Sequence, residues 1–267
     1  RQIVRELEYA SNGTVGFYTG YETLDVSPSD VLTSATFDYK QMAGNVTISG
    51  LEQIQNSGTE AIINLLESRI GVLEKTMANT LSTSLYSDGT GSSGKEVGGL
   101  QLLVADAGTG TVGGINSSTF TFFQNAQTTA TSSAFSTTNI QADMNTIYLS
   151  LVRGSDSPDL IMADTNSYKS FLGSLQAIQR VTSDRVATSG FTSVQYLNSD
   201  VIFDDACPTN KMYFLNTDYL RLEVAANRNF VPGEAKMSVN QDAMVTPMFW
   251  SGNLTCSNRA LQGVIHT

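Results

Sequence analysis

The stretch SGTEAIINLLESRIGVLEKTMANTLSTSLYS, residues 57–87, decides how the chain is read. Ile62, Leu66, Ile70, Leu73, Met77, Leu81 and Leu85 recur at steps of three or four, one apolar stripe along a single helix face. Ser57 and Glu60 stand at the spacing of a capping box, in which each side chain satisfies the other's backbone N–H. Asp88-Gly89-Thr90-Gly91 stops the pattern. About 28 helical residues at 1.5 Å each make a rod of roughly 42 Å, longer than a small enzyme domain normally needs.

Upstream, residues 14–48 predict an extended two-stranded arm. Val15, Phe17, Thr19, Tyr21 and Thr23 alternate as a strand requires, Ser27-Pro28-Ser29-Asp30 is turn chemistry, and Ala35, Phe37, Tyr39 and Gln41 alternate again. An isolated hairpin is marginal in water, so the arm must pack on its own domain or on another subunit. Downstream, residues 107–142 carry no charge but hold Phe120, Phe122 and Phe123, which predicts a packed, irregular, strand-like segment. A helix follows with Ile140, Met144, Ile147 and Leu151 inward, and Thr138 and Gln141 as a second capping box. Residues 159–163 read as a buried strand. Asp164 caps a short helix with Tyr168, Phe171, Leu172 and Leu175 inward. A polar loop at 179–190 precedes strands at 191–197, 200–204, 211–215 and 219–225, and 242–265 is strand-rich.

Composition narrows the function. The 267 residues hold 15 basic and 25 acidic side chains, a net charge of −10, with the basic residues scattered, which argues against wrapping nucleic acid. No run of about 18 apolar residues offers a membrane span. The chain opens on Arg1 rather than Met, which reads as a mature product or a fragment. Cys207 and Cys256 are too few for a disulfide framework and read as buried reduced thiols. His266 is the sole histidine, which removes most imidazole catalysis and most zinc sites. Gly89 to Lys95 matches a phosphate loop, but Glu96 stands where Ser or Thr should hold magnesium, and the loop follows a helix. Gly108, Gly110 and Gly113 match a dinucleotide fingerprint without the carboxylate that should follow. Asp204 and Asp205 are adjacent on a strand and point apart. The sequence thus predicts no catalytic residue, no metal site and no cofactor.

Several blocks occur in an order that carries a resemblance. They are Tyr9-Ala10-x-Asn12-Gly13-Thr14-Val15 with Tyr18-x-Gly20-Tyr21-Glu22; Lys40-Gln41-x-Ala43-Gly44-x-Val46-x-Ile48-Ser49-Gly50 running into the long helix; and Gly98-Gly99-Leu100 with Thr111 to Ile115. Ser157 to Ile161 with Gln179-Arg180, Gly190-Phe191 leading to Val201–Asp204, and Asn240 to Ala243 with Gly252 to Thr255 and Leu261-Gln262-Gly263 complete the series. The chain resembles tailed-bacteriophage major capsid proteins of the Hong Kong 97-like fold, over nearly its whole length.

The resemblance implies an α+β fold with an extended hairpin arm, a long spine helix, a peripheral domain and an axial domain. On this chain it implies a remnant of an N-terminal arm at 1–13, the extended hairpin loop at 14–48, a peripheral domain at 49–130 and 240–267 with its spine helix at 57–87, and an axial domain at 131–239. Family members usually carry more chain before this start. Phe17, Tyr21, Phe37, Tyr39 and Lys40 become candidate intersubunit arm contacts. Ile62, Leu66, Ile70, Leu73, Met77 and Leu81 become the core face of the spine. Arg180, Asp184 and Arg185 become the loop at the capsomer axis. Some shells of this fold carry Lys–Asn crosslinks, and Lys40 is the arm's only lysine, although a solvated strand lysine is the plainer reading. The implied function is self-assembly into hexamers and pentamers of an icosahedral head that encloses double-stranded DNA, assembled in the host bacterial cytoplasm with portal, scaffold or decoration proteins. An encapsulin-like compartment shell of the same fold is the alternative.

Overall fold

The computed structural model describes residues 2–55, 59–176 and 194–267. In chain order its strands are β1 (Gln2–Glu8), β2 (Leu32–Asp38), β3 (Lys40–Ser49), β4 (Thr111–Val112), β5 (Ile115–Asn116), β6 (Ala126–Thr129), β7 (Leu160–Ala163) and β8 (Val194–Tyr196). They continue as β9 (Ser199–Phe203), β10 (Lys211–Leu215), β11 (Leu220–Val224), β12 (Val231–Pro232), β13 (Lys236–Met237), β14 (Ala243–Cys256) and β15 (Gly263–His266). The helical segments are α1 (Gly50–Gln55), α2 (Thr59–Ser84), the short turn α3 (Gly91–Gly94), α4 (Leu100–Leu103), α5 (Ile140–Leu151) and α6 (Thr165–Gln176).

Two larger sheets organise these elements. The first runs β6-β15-β10-β7-β9-β8, with β15/β6 and β7/β9 parallel and the other pairs antiparallel. Its central strand, KMYFL, is apolar on both faces, as a strand covered on both sides must be. Met212 and Phe214 face α5 and α6 in one core, with Ile140, Met144, Ile147, Leu151 and Phe171. Tyr213 and Leu215 face a second core, made with Leu100, Leu103, Val112, Phe123 and the β1–β2 hairpin. Asp164 caps α6, accepting from the N–H groups of Asn166 and Ser167. The Thr138–Gln141 box does not form: Gln141 Nε2 donates to Ser174 Oγ, and the amide of Ile140 is met by the Ser136 carbonyl.

The second sheet is built on β14. Ten cross-strand pairs, from Ser49 opposite Ala243 to Lys40 opposite Gly252, join it to β3, while β11, β12 and β13 pair elsewhere along it. Helix α2 lies across this sheet. Its 26 residues span about 39 Å. Met77 is buried against Met248 and Trp250, with Ile70, Leu73 and Leu81 half-buried beside it. Leu66 is half-buried as well, and the side chain of Ile62 lies outside the described residues. Gly44 permits the close approach, since a Cβ there would stand 2.4 Å from Leu73 Cδ1.

The hairpin differs from the sequence reading. Strands β1 and β2 pair from Gln2 opposite Asp38 to Glu8 opposite Leu32, so the partner of β2 is residues 2–8 and not 15–23. Ile3 and Leu7 alternate inward with Ala35 and Phe37, and these four side chains are buried. Residues 15–23 alternate equally well but form no strand. The reason is burial: strand alternation acts only where one face meets a surface, and among the described residues none covers Phe17 or Tyr21.

Arg259 went unremarked in the sequence and organises the second core. It is fully buried. Its guanidinium donates to the Leu103 and Phe123 carbonyls, Ser117 Oγ and Asn125 Oδ1, and lies 5.5 Å from the Phe123 ring centroid. Burial lowers its pKa to about 10, so it stays charged at neutral pH. Arg259→Met strands these acceptors in the core and is expected to cost about 3–5 kcal/mol of stability. Urea unfolding checks this; a change below about 1 kcal/mol contradicts it.

Candidate assembly surface

Where the β1–β2 ladder ends, three contacts close the neck of a loop. Tyr9 N donates to Val31 O at 3.0 Å, Tyr9 Oη donates to Asp30 O at 2.8 Å, and the Tyr9 ring lies 5.5 Å from Phe122. Beyond the neck, every residue from 10 to 30 is exposed except the half-buried Thr14. Phe17 and Tyr21 are 110% and 106% exposed and Val26 90%, so the described residues leave almost all of their surface open. Apolar surface of this extent is a feature of interaction sites and of aggregation-prone segments. Burying each such side chain contributes about 1.5–3 kcal/mol.

Local polar turns shape the loop without a core. Asn12 Oδ1 accepts from Thr14 N and Thr14 Oγ1. Thr19 and Glu22 close a turn in which Gly20 takes a φ of +45°. Hydrogen bonds from Ser27 hold Asp25 below the usual carboxylate range. The segment 9–31 contains Glu22, Asp25 and Asp30 and no basic residue.

A cleft of about 790 Å³ opens between the end of α2, the start of β3 and the 91–97 turn. Its walls include Lys40, Leu81, Tyr86, Lys95, Val97 and Trp250. Lys40 Nζ donates to Gly94 O, and Ser87 Oγ donates to Glu96. Behind it, Tyr86 Oη donates to Asp204 at 2.7 Å, and desolvation raises the Tyr86 pKa. Asp204 is therefore a structural acceptor. The thiols of Cys207 and Cys256 are buried and unpaired, each pushed up to about 12 by burial.

The five arm candidates separate. Phe17 and Tyr21 lie on the exposed loop, and Tyr39 is 39% exposed beside the cleft. Lys40 lines the cleft, half-buried rather than solvated. Phe37 is corrected: at 6% exposure it packs in its own chain's core and presents no surface to a neighbour. Arg180, Asp184 and Arg185 lie outside the described residues. The phosphate-loop match is a tight turn in which Ser92 and Ser93 are left-handed, and the dinucleotide match leads into the two-residue strands β4 and β5 rather than a helix. Among the described residues no three His, Cys, Asp or Glu side chains are grouped to hold a metal ion, and no helix is long and apolar enough to cross a membrane.

Two ties hold the loop and the long helix to the sheet, and neither was read from the sequence. Arg5 pairs with Glu223 and donates to Thr255 Oγ1, which fixes β1 to the β14 sheet. Glu52 accepts both terminal nitrogens of Arg69, at 2.7 and 3.0 Å, and Arg69 also donates to Thr47 O. Ser49 and Glu52 form the capping box of α1, with Ser49 N donating to Glu52 and Glu52 N to Ser49 Oγ. The expected box at Ser57 lies outside the described residues.

The hydrogen bonds from Arg69, then that from Ser49 N, lower the Glu52 pKa from 4.5 to about 2. A carboxylate depressed on folding stabilises the fold above its unfolded pKa, and loses that contribution as pH falls through the folded value. The stability difference between the parent and Glu52→Gln is therefore expected to be full above pH 4.5 and to vanish near pH 2. Thermal melts across that range check it. A pH-independent difference contradicts it.

No protein-family model matches the sequence, and no curated protein does. Solved structures do. The chain is similar to a capsid subunit of cyanophage A-1(L), with a TM-score of 0.78 at 17% identity over 99% of this chain and 87% of that one. It is similar to the Mycobacterium phage Bobi structure, with a TM-score of 0.62 at 10% identity over 99% and 85%. An encapsulin from Synechococcus elongatus PCC 7942 gives a TM-score of 0.63 at 9% identity over 88% and 75%. At these identities the likeness is one of fold. The chain has the α+β fold of tailed-phage capsid proteins, the Hong Kong 97-like fold that the sequence blocks led us to expect.

Proposed function

We propose that this protein is a structural major capsid protein, a non-enzymatic subunit that self-assembles into the icosahedral head of a tailed bacteriophage. The observation that carries the reading is the exposed loop 9–31 on a chain with this fold: a subunit whose apolar loop is uncovered alone and covered in a shell. In this reading the β1–β2 hairpin and its loop are the extended arm, α2 is the spine helix, the β14 sheet belongs to the peripheral domain, and the six-stranded sheet with α5 and α6 belongs to the axial domain. The segment holding Arg180, Asp184 and Arg185 is assigned to the capsomer axis. Subunits form hexamers and pentamers through repeated weak contacts that sum to a stable closed shell.

The arm of one copy is assigned to the cleft beside α2 of its neighbour. Phe17, Tyr18 and Tyr21 supply aromatic surface for a wall containing the half-buried Met42, Leu81 and Pro208, and the acidic loop meets Lys40 and Lys95. The shell encloses double-stranded DNA without reading its sequence, and a chain of net charge −10 limits adhesion to that polyanion. Assembly in the host cytoplasm and recruitment of portal, scaffold or decoration proteins belong to the same reading. The encapsulin likeness favours a second one, a compartment around protein cargo. The contents of purified particles separate the two: DNA supports the head, protein cargo the compartment.

Electron microscopy of particles made by the parent and by a Phe17→Ser/Tyr21→Ser variant tests the proposal. The parent is expected to give uniform closed shells. The variant is expected to keep its melting temperature, because neither side chain packs in its own core, and to lose shells by about tenfold or more in yield, since each lost burial weakens every copy of the contact. Normal shells from the variant contradict the arm's role. Lys95→Glu is expected to act in the same direction by replacing an attraction with a repulsion in the cleft.

A further inference from the structure

We infer that Asn12 is a self-modifying residue, converted without an enzyme to aspartate and isoaspartate at a rate set by the geometry of the exposed loop. The sequence contains one Asn-Gly pair, Asn12-Gly13. Both residues are exposed, beyond the neck at Tyr9 and Val31. Gly13 has nothing within 4 Å of where a Cβ would stand, and its N–H donates to no described residue. The backbone is therefore free to bring Gly13 N onto the Asn12 carboxamide carbon, which a side chain at position 13 would hinder.

The second observation concerns the electrophile. Asn12 Oδ1 accepts two hydrogen bonds, from Thr14 N at 3.0 Å and Thr14 Oγ1 at 2.7 Å. Donors aimed at a carbonyl oxygen that gains negative charge under attack stabilise the tetrahedral intermediate. In the reaction, Gly13 N loses its proton to hydroxide and bonds to Asn12 Cγ, and the Cγ–Nδ2 bond breaks as Nδ2 takes a proton from water, releasing ammonia and restoring the hydroxide. Water then opens the cyclic imide. Cleavage on the side-chain carbonyl leaves aspartate; cleavage on the main-chain carbonyl leaves isoaspartate, with the chain running through the former side chain. Each event adds one negative charge to a segment whose charged residues are all acidic.

Asn116 is an internal control. It is also exposed, and its Oδ1 accepts from Ser118 N at 3.0 Å. However, the amide that would attack belongs to Ser117, which is fully buried and donates to Gly110 O at 3.0 Å. Both side chains close a local turn, but the attacking residue at Asn12 is an unhindered glycine with a free N–H, whereas at Asn116 it is a buried serine whose N–H is held.

Peptide mapping by mass spectrometry tests the inference. The purified full chain, kept as unassembled subunits, is held at neutral and alkaline pH, native and in urea, and Asn, Asp and isoAsp are quantified at positions 12 and 116. Native Asn12 is expected to convert about tenfold or more faster than native Asn116, and faster than Asn12 in urea, where the Thr14 donors are lost. Gly13→Ala should suppress conversion, and Thr14→Val should slow it in the native chain only. Conversion of native Asn12 slower than in urea overturns the inference, as does equal reactivity of Asn116. An unchanged native rate in Thr14→Val overturns the assigned role of the donors.

Discussion

The ladder between β3 and β14 is the constraint on which the other elements depend. It sets Gly44 opposite Met248 and Met42 opposite Trp250, so one sheet face carries a shallow, apolar floor. Helix α2 lies on that floor through Leu73 and Met77, with the Leu73 side chain seated over Gly44. The same ladder begins two residues after β2, so the position of the hairpin and its loop follows from it. At the other end Ser49 closes β3 and opens α1, and the Glu52–Arg69 pair returns that corner to the long helix. Asn253, on β14, holds the remaining junction: its side chain donates to Asp38 O and accepts from Gly98 N.

A frame fixed this way leaves the loop 9–31 with nowhere to go on its own chain. Hydrogen bonds within it organise turns at residues 12–14, 19–22 and 25–27, and its neck is pinned by Tyr9. Its aromatic surface remains in water. An exposed hydrophobic segment is an aggregation hazard unless a specific surface receives it. The absence of basic residues from the loop and the two lysines at the cleft give that reception a sign as well as a shape. Helix α2 adds to this, since no charged residue stands between Lys75 and Asp88 while its exposed threonines bond back to their own helix. An uncharged exposed face suits contact better than solvation.

Much of this was legible in the sequence because periodicity reports burial directly. The stripe from Leu66 to Leu85, the two-faced strand at Lys211–Leu215 and the Asp164 cap each obey a local rule and appear where that rule places them. The misreadings share one cause. Residues 15–23 and 2–8 both alternate, and only contact with a distant surface decides which becomes a strand. Phe37 looked like an arm aromatic for the same reason, until its neighbours Ala35 and Leu7 placed it in the core. Arg259 and Asn253 gave no local signal, because their partners lie more than a hundred residues away. The Ser49–Glu52 box follows the same S-x-x-E spacing as Ser57 and Glu60 and is legible in the sequence.

The central claim is that the loop 9–31 is open in the subunit and covered in the shell. Hydroxyl-radical footprinting of Phe17, Tyr18 and Tyr21 in assembled particles and in dissociated subunits measures this directly. The account predicts strong modification of all three in subunits and protection of all three in particles. Equal modification of the three loop aromatics in both states would contradict it.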